Sequence, residues 1–200
     1  MNRLLGACLV ALAGLSPAHG QAIEFESNGL KYQTLTKSGV TVMFARLPAH
    51  LHEYAIIQVA VSNGSAGPYV IRPEDFTFQR TDGTVLRAAP AKEVVAMLYQ
   101  KGSGSDVVKL VTTYEASVYG NSRMRSTNGY EQRRQAALAM NSTKVRAAAT
   151  ASAIALVQTK LPAGESTDGA VFFPTDGKPL QQGHVVVRTN TDVFTFLTAE

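Results

Sequence analysis

Apolar side chains alternate with period two in the first part of this chain and again near its end. Between them lies a stretch of roughly 70 residues whose apolar positions recur at helical spacing. Successive side chains of a strand point to opposite faces, so alternation marks a face that seeks burial. Val40, Val42 and Phe44 share one side, with Thr41, Met43 and Ala45 on the other. Ala55, Ile57, Val59 and Val61 repeat the pattern. Residues 63–68, Asn-Gly-Ser-Ala-Gly-Pro, are dense turn chemistry, and Pro73 ends the short strand that follows. Phe76 and Phe78 lie on one side of a further strand, and Thr81-Asp82-Gly83-Thr84 is a hairpin signal. Near the end, residues 170–173, 184–188 and 193–197 read as strands, with Phe194 and Phe196 on one face.

The central stretch has a different grammar. Pro90 precedes Val94, Val95, Leu98 and Tyr99 at helical spacing, and Gly102-Ser103-Gly104 breaks that helix. Ser105 is the expected cap of a second helix, with Asp106 against its positive end. Val107, Val108 and Val111 to Thr113 weaken the helical signal there. Residues 121–129 are polar and read as a mobile loop, whereas residues 130–157 hold no Gly or Pro and predict one long helix. Leu161-Pro162-Ala163-Gly164 ends the stretch. Late strands usually complete an early sheet, so the order predicts a mainly β fold. It would be one antiparallel sandwich domain over residues 21–200, carrying a helical insertion at about 90–160. Val59, Val61, Phe76, Phe78, Val171, Phe194 and Phe196 should then be buried together, and the insertion should project from the sandwich or lie across it.

Residues 1–20 resemble an export signal. Asn2 and Arg3 form the positive start, residues 4–15 the apolar run, and Ser16-Pro17 the break before the small Ala18 and Gly20. The run is shorter than the roughly 20 residues needed to cross a bilayer. Cleavage is expected near Gly20 or Ala22, and the chain is expected in the periplasm or outside the cell. A competing reading takes Leu5-Gly6-Ala7-Cys8 as a lipid-attachment site. Only seven residues precede Cys8, too few for both a charged start and an apolar run. Cys8 is the one cysteine, so the processed chain has no disulfide, thiol nucleophile or thiolate ligand, and its core must hold it. No later segment reads as a membrane span. Trp is absent, which removes one common anchor of binding sites.

Charge is unevenly spread. Positions 121–160 carry seven basic residues, Arg123, Arg125, Arg133, Arg134, Lys144, Arg146 and Lys160, against the single acid Glu131. The rest of the processed chain has 11 basic and 14 acidic residues (18 less 7, and 15 less 1). Ala136, Ala137, Ala147, Ala148 and Ala151 accompany the charges and permit close approach of another surface. The first six of those basic residues are the candidate contacts to a protein or an anionic envelope component. A solvated helix face is the alternative. Nucleic acid is not expected, since export removes the usual targets and no aromatic residues are interleaved with the charges.

The run EYAIIQVAVSNGSAGPYVIRPEDFTFQRTDG has an apolar strand, an Asn-led turn, a Pro-x-Asp-Phe step and an Asp-Gly turn. LPAGESTDGAVFFPTDGKPL supplies a partner strand. On residues 53–88 and 161–197 the chain resembles secreted bacterial immunoglobulin-like sandwich modules of unknown function. The resemblance implies an immunoglobulin-like antiparallel β-sandwich. It carries over no functional residue and leaves the helices unexplained.

Candidates for chemistry are few. His50 and His52 would point the same way on an extended segment and could share one Zn²⁺ or Cu²⁺, with His184 as a distant third ligand. Two exposed loop histidines beside Pro48 are the alternative. Ser65 lacks the spacing of a nucleophile elbow, and Gly102 to Ser105 lacks the Lys-Ser/Thr ending of a P-loop. Glu74 and Asp75 are adjacent and would face apart on a strand. The expectation is a non-catalytic, exported binding module without a cofactor. A periplasmic metal-binding protein using His50 and His52 is the alternative.

Overall fold

The computed structural model describes residues 22–119 and 128–196. The expected export signal, Cys8, Arg123, Arg125 and most of the expected 121–129 loop lie outside these residues. In chain order the strands are β1 (Ile23–Ser27), β2 (Leu30–Lys37), β3 (Val40–Leu51), β4 (Tyr54–Asn63), β5 (Tyr69–Ile71), β6 (Phe76–Arg80) and β7 (Val85–Arg87). Four helices follow, α1 (Ala91–Lys101), α2 (Gly104–Tyr119), α3 (Tyr130–Leu138) and α4 (Thr143–Ile154). The chain then returns to strands β8 (Thr159–Leu161), β9 (Ser166–Pro174), β10 (Gly183–Arg188) and β11 (Val193–Phe196). All strand pairs are antiparallel, so the fold is mainly β with helices, as the sequence predicts.

The late strands do complete the early sheets. β9 pairs with β4, placing Val171 opposite Ile57, and β10 pairs with β6, placing Val185 opposite Phe78. One sheet runs β1-β2-β3-β4-β9, a second runs β11-β10-β6-β7, and β5 pairs with β8 alone. The two larger sheets face each other across a cluster that holds all seven residues expected to meet, from Val59 to Phe196. The insertion lies across the other face of the five-stranded sheet. There Met43, Ala45, Ile56, Ala60, Ala170 and Phe172 pack with Val94, Leu98, Leu110, Ala147, Ala151 and Ile154. This sheet is therefore covered on both sides, which explains why every residue of β4 except Ser62 is buried and why its sequence is nearly continuously apolar. Met43 and Ala45 were the off-side of an alternating strand by pattern, and they form part of a second core.

The insertion is stitched to β9 at both joints. The Ala89 N–H donates to the Phe172 carbonyl at 2.8 Å, just before α1. The Leu156 N–H donates to the Ala170 carbonyl at 2.9 Å, just after α4. These bonds close the outer edge of β9. Gly169 makes the crossing possible, since a Cβ there would lie 2.5 Å from the Leu156 backbone. Gly102 plays a similar part where α1 meets α4, because its Cβ would stand 2.8 Å from that of Ala147.

Two helical expectations need correction. The predicted helix over 130–157 is two helices, α3 and α4, separated at residues 139–142. No Gly or Pro stops the first. Asn141 and Ser142 are weak helix formers, and Ser142 adopts extended backbone before α4. Folding back sets α3 against α4, which a single rod could not do. The cap of α2 is Ser103 and not Ser105. Ser103 Oγ accepts the Asp106 N–H at 3.3 Å and the Asp106 carboxylate accepts the Ser103 N–H at 2.8 Å, a reciprocal capping box.

Candidate functional site

Polar side chains are concentrated where helices meet the sheet. Tyr32 on β2 donates its hydroxyl to the Ser117 carbonyl of α2 at 2.8 Å. Tyr114, one turn earlier on α2, donates to Asp168 Oδ2 on β9 at 2.5 Å. Asn128 Nδ2 donates to both Asp168 Oδ1 and the Asp168 carbonyl at 2.9 Å. Asp168 is buried, and burial pushes its carboxyl up, against the opposing pull of the Tyr114 hydroxyl and the Arg133 charge. Burial, reinforced by the Asp168 charge, pushes the Tyr114 hydroxyl well above the ordinary tyrosine range. Tyr130 donates to Glu115 Oε1 at 3.2 Å, and it too is raised by burial first and Glu115 second. Held this way, the tyrosines stay protonated and act as donors that fix the helices on the sheet.

Among the described residues, His52, Asp106 and Ser103 form a set resembling a hydrolase triad, and its geometry is wrong for that role. His52 Nε2 lies 3.1 Å from Asp106 Oδ2, and Ser103 Oγ donates to that same oxygen at 2.7 Å. The hydroxyl therefore meets the carboxylate and not an imidazole acting as base. Burial pushes the Asp106 carboxyl up, but hydrogen bonds from Ser103 and His52 outweigh it and hold it below the usual carboxylate value. The set caps α2 and ties it to the β3–β4 turn.

The two histidines read as a metal pair part ways. His52 adopts left-handed backbone, with φ of 49°, which ends the extended run on which a shared face depended. It turns to Asp106, whereas His50 is exposed on β3 beside Pro179 and Leu180. His184 sits on β10 opposite Gln79. No group of three or more His, Cys, Asp or Glu able to hold a metal ion occurs among the described residues.

The basic side chains are used largely within the helical layer. Arg133 donates through Nε and Nη2 to the Ala153 carbonyl near the end of α4, at 3.2 Å each, and through Nη1 to the Asn128 carbonyl. A cation there opposes the negative helix end. Arg134 pairs with Glu115 on α2 and with Glu131 at 3.2 Å. Arg146 donates to the Met140 carbonyl at 2.7 and 3.0 Å, bracing the α3–α4 turn. Lys144 and Lys160 are exposed. Ser65 donates to Asn63 in the β4–β5 turn, and Asp75 accepts the Arg72 N–H at 2.8 Å, so both are turn residues.

Sequence patterning passed over Arg46 and Arg80. Arg46 follows Val42 and Phe44 at inward parity, and that break in an apolar face was the available signal. Its guanidinium lies 5.1 Å from the centre of the Phe78 ring and donates to the Gly183 carbonyl at 2.7 Å. Burial pulls its pKa down, partly offset by the charge of Glu24. Arg80 stands opposite Gly183 in the β6–β10 ladder, and its Nε is buried without a hydrogen-bond partner. Beside Arg46, the irregular register of β3 between Arg46 and His50 opens a groove of about 90 Å³. No family model matches the chain, and no curated protein or solved structure is significantly similar to it.

Proposed function

We propose that this protein is an exported, non-catalytic binding module, related to secreted immunoglobulin-like sandwiches, whose helical layer contacts a protein or an anionic envelope component. One observation carries the reading. Of seven exposed large apolar residues among the described residues, five lie in or beside the helical layer: Tyr99, Val108, Tyr119, Met140 and Val157. Apolar side chains left in water on the same helical layer as exposed Lys144 supply both chemistries that an interface uses. The potentially reactive groups Ser103, His52, Asp106, Tyr114 and Asp168 supply supporting argument, since each is engaged in seating a helix. Arg133, Arg134 and Arg146 are each bonded to another group of this layer, so Lys144 is the cleaner reporter of charge.

A photo-crosslinking residue placed at Tyr99 or Val108 in the exporting cell should capture a partner, and one at Val85 on β7 should not. Lys144→Gln should weaken the captured complex, and so should raising salt, since exposed charges are screened over about 10 Å at 0.1 M. Capture from Val85 alone would move the contact to the sandwich and sink the reading.

A further inference from the structure

We infer that the groove at the β3 irregularity is a binding site for a carboxylate borne on a short apolar chain. The groove has two chemistries. Leu47, Pro48, Ala55, Ile56, Pro179 and Leu180 make most of its wall apolar, while Arg46 and His50 bring cationic and polar groups to its rim. Neither Arg46 nor Arg80 forms an ion pair among the described residues, whose ion pairs are His52–Asp106, Arg134–Glu115 and Arg134–Glu131.

Arg46 is half-buried at inward parity without a carboxylate, and a charge partly withdrawn from water gains from a counter-charge. Arg46 answers its burial only with the carbonyls of Gly183 and, at 3.4 Å, Gln181, and with the Phe78 ring. These contacts occupy part of its five-donor fork. Arg80, across the Gly183 backbone, adds a second positive charge and an unpaired buried donor. The nearby acids do not cancel them. Glu24 acts on Arg46 only through space, and Asp82, next to Arg80, is fully exposed and accepts the Thr84 N–H. An incoming carboxylate would meet a guanidinium fork suited to it, with its chain against the proline and leucine walls. The groove's size admits a short chain and not a large ring system.

This inference goes beyond the helical-layer reading and does not depend on it, because the groove is lined by β3, β4 and the Pro179–Leu180 segment and by no helix. The test is a titration of the processed chain followed by amide ¹H–¹⁵N resonances, with hexanoate, the uncharged hexanamide and inorganic phosphate as separate probes. Hexanoate should shift Arg46, His50 and Leu180 saturably and bind at least tenfold more tightly than hexanamide or phosphate. Arg80→Gln should weaken hexanoate at least threefold, and its unchanged amide spectrum elsewhere would show that folding is intact. Equal binding of hexanoate and hexanamide removes the charge from the proposal. Equal binding of phosphate and hexanoate removes the apolar wall. Either result overturns it, as does the absence of saturable shifts at the groove.

Discussion

The two faces of the five-stranded sheet are both buried, yet by different chemistry. The face toward β6, β10 and β11 is filled with large dry side chains, among them Phe44, Phe76, Phe78, Phe173, Phe194 and Phe196. Phe44 and Phe196 meet edge to face with centroids 5.0 Å apart, and Phe78 and Phe173 are tilted at 6.3 Å. The face toward the helices is built from alanines of α4 and from tyrosines, and Tyr32, Tyr114 and Tyr130 all use their hydroxyls as donors. Apolar burial is large in energy and indifferent to direction, whereas a buried hydrogen bond contributes less but fixes position. The sheet-to-sheet face thus supplies stability, and the helical face uses polar contacts to set the helices in register on the sheet.

That contrast can be broken from either side. Phe173→Ala should cost about 3–5 kcal/mol, because it leaves a cavity in a rigid aromatic layer between two sheets. Urea unfolding should show the whole chain losing this stability. Tyr114→Phe should cost about 1–3 kcal/mol, since it strips a hydroxyl donor from a buried carboxylate while filling nearly the same volume. Its effect should be local. Hydrogen exchange should accelerate in α2 and α3 while the amides of β4, β6 and β10 stay protected. If Tyr114→Phe loosened both faces equally, the division of labour between them would be wrong.

The sheet-to-sheet face was legible in the sequence and the helical face only half so. Val59, Val61, Phe76, Phe78, Val171, Phe194 and Phe196 announce a shared core through period two, a signal that survives without knowledge of partners. The start and end of α1 were marked by Pro90 and Gly102. The break between α3 and α4 had no comparable mark, because packing against α4 decides it and residues 139–142 contain neither Gly nor Pro. The roles of Arg133, Arg134 and Arg146 were hidden for the same reason. Charge clustering along a sequence does not say whether a guanidinium faces solvent or a helix-end carbonyl 20 residues away. Asp168 was invisible too, since a lone Asp in a strand reads as an exposed turn neighbour until Tyr114 and Asn128 are brought over it.

The smallest expected effect separates two carboxylates of the helical face by the sign of their response to acid. Asp106 has a folded pKa below the ordinary carboxylate value. Its contribution is complete above the unfolded pKa of about 4 and is lost as pH falls through the lower folded value. Asp168 has a folded pKa above the ordinary value. Its ionised form weakens the fold above that value, and the native state takes up a proton before the unfolded chain does, so acidification relieves the burden. Asp106→Asn should cost about 1 kcal/mol above the unfolded pKa, chiefly from the weakened cap of α2, and the gap to wild type should narrow as pH falls through the lower folded value. For Asp168→Asn the trend reverses. Wild type should gain on this variant as pH is lowered toward the unfolded pKa of about 4, because the folded carboxyl takes up its proton first. Thermal unfolding of the three proteins across that range checks both slopes. Gaps that moved in the same direction for the two variants would mean that Asp106 and Asp168 feel one common field, and that the cap at the β3–β4 turn and the buried Tyr114–Asp168 pair are not distinct devices.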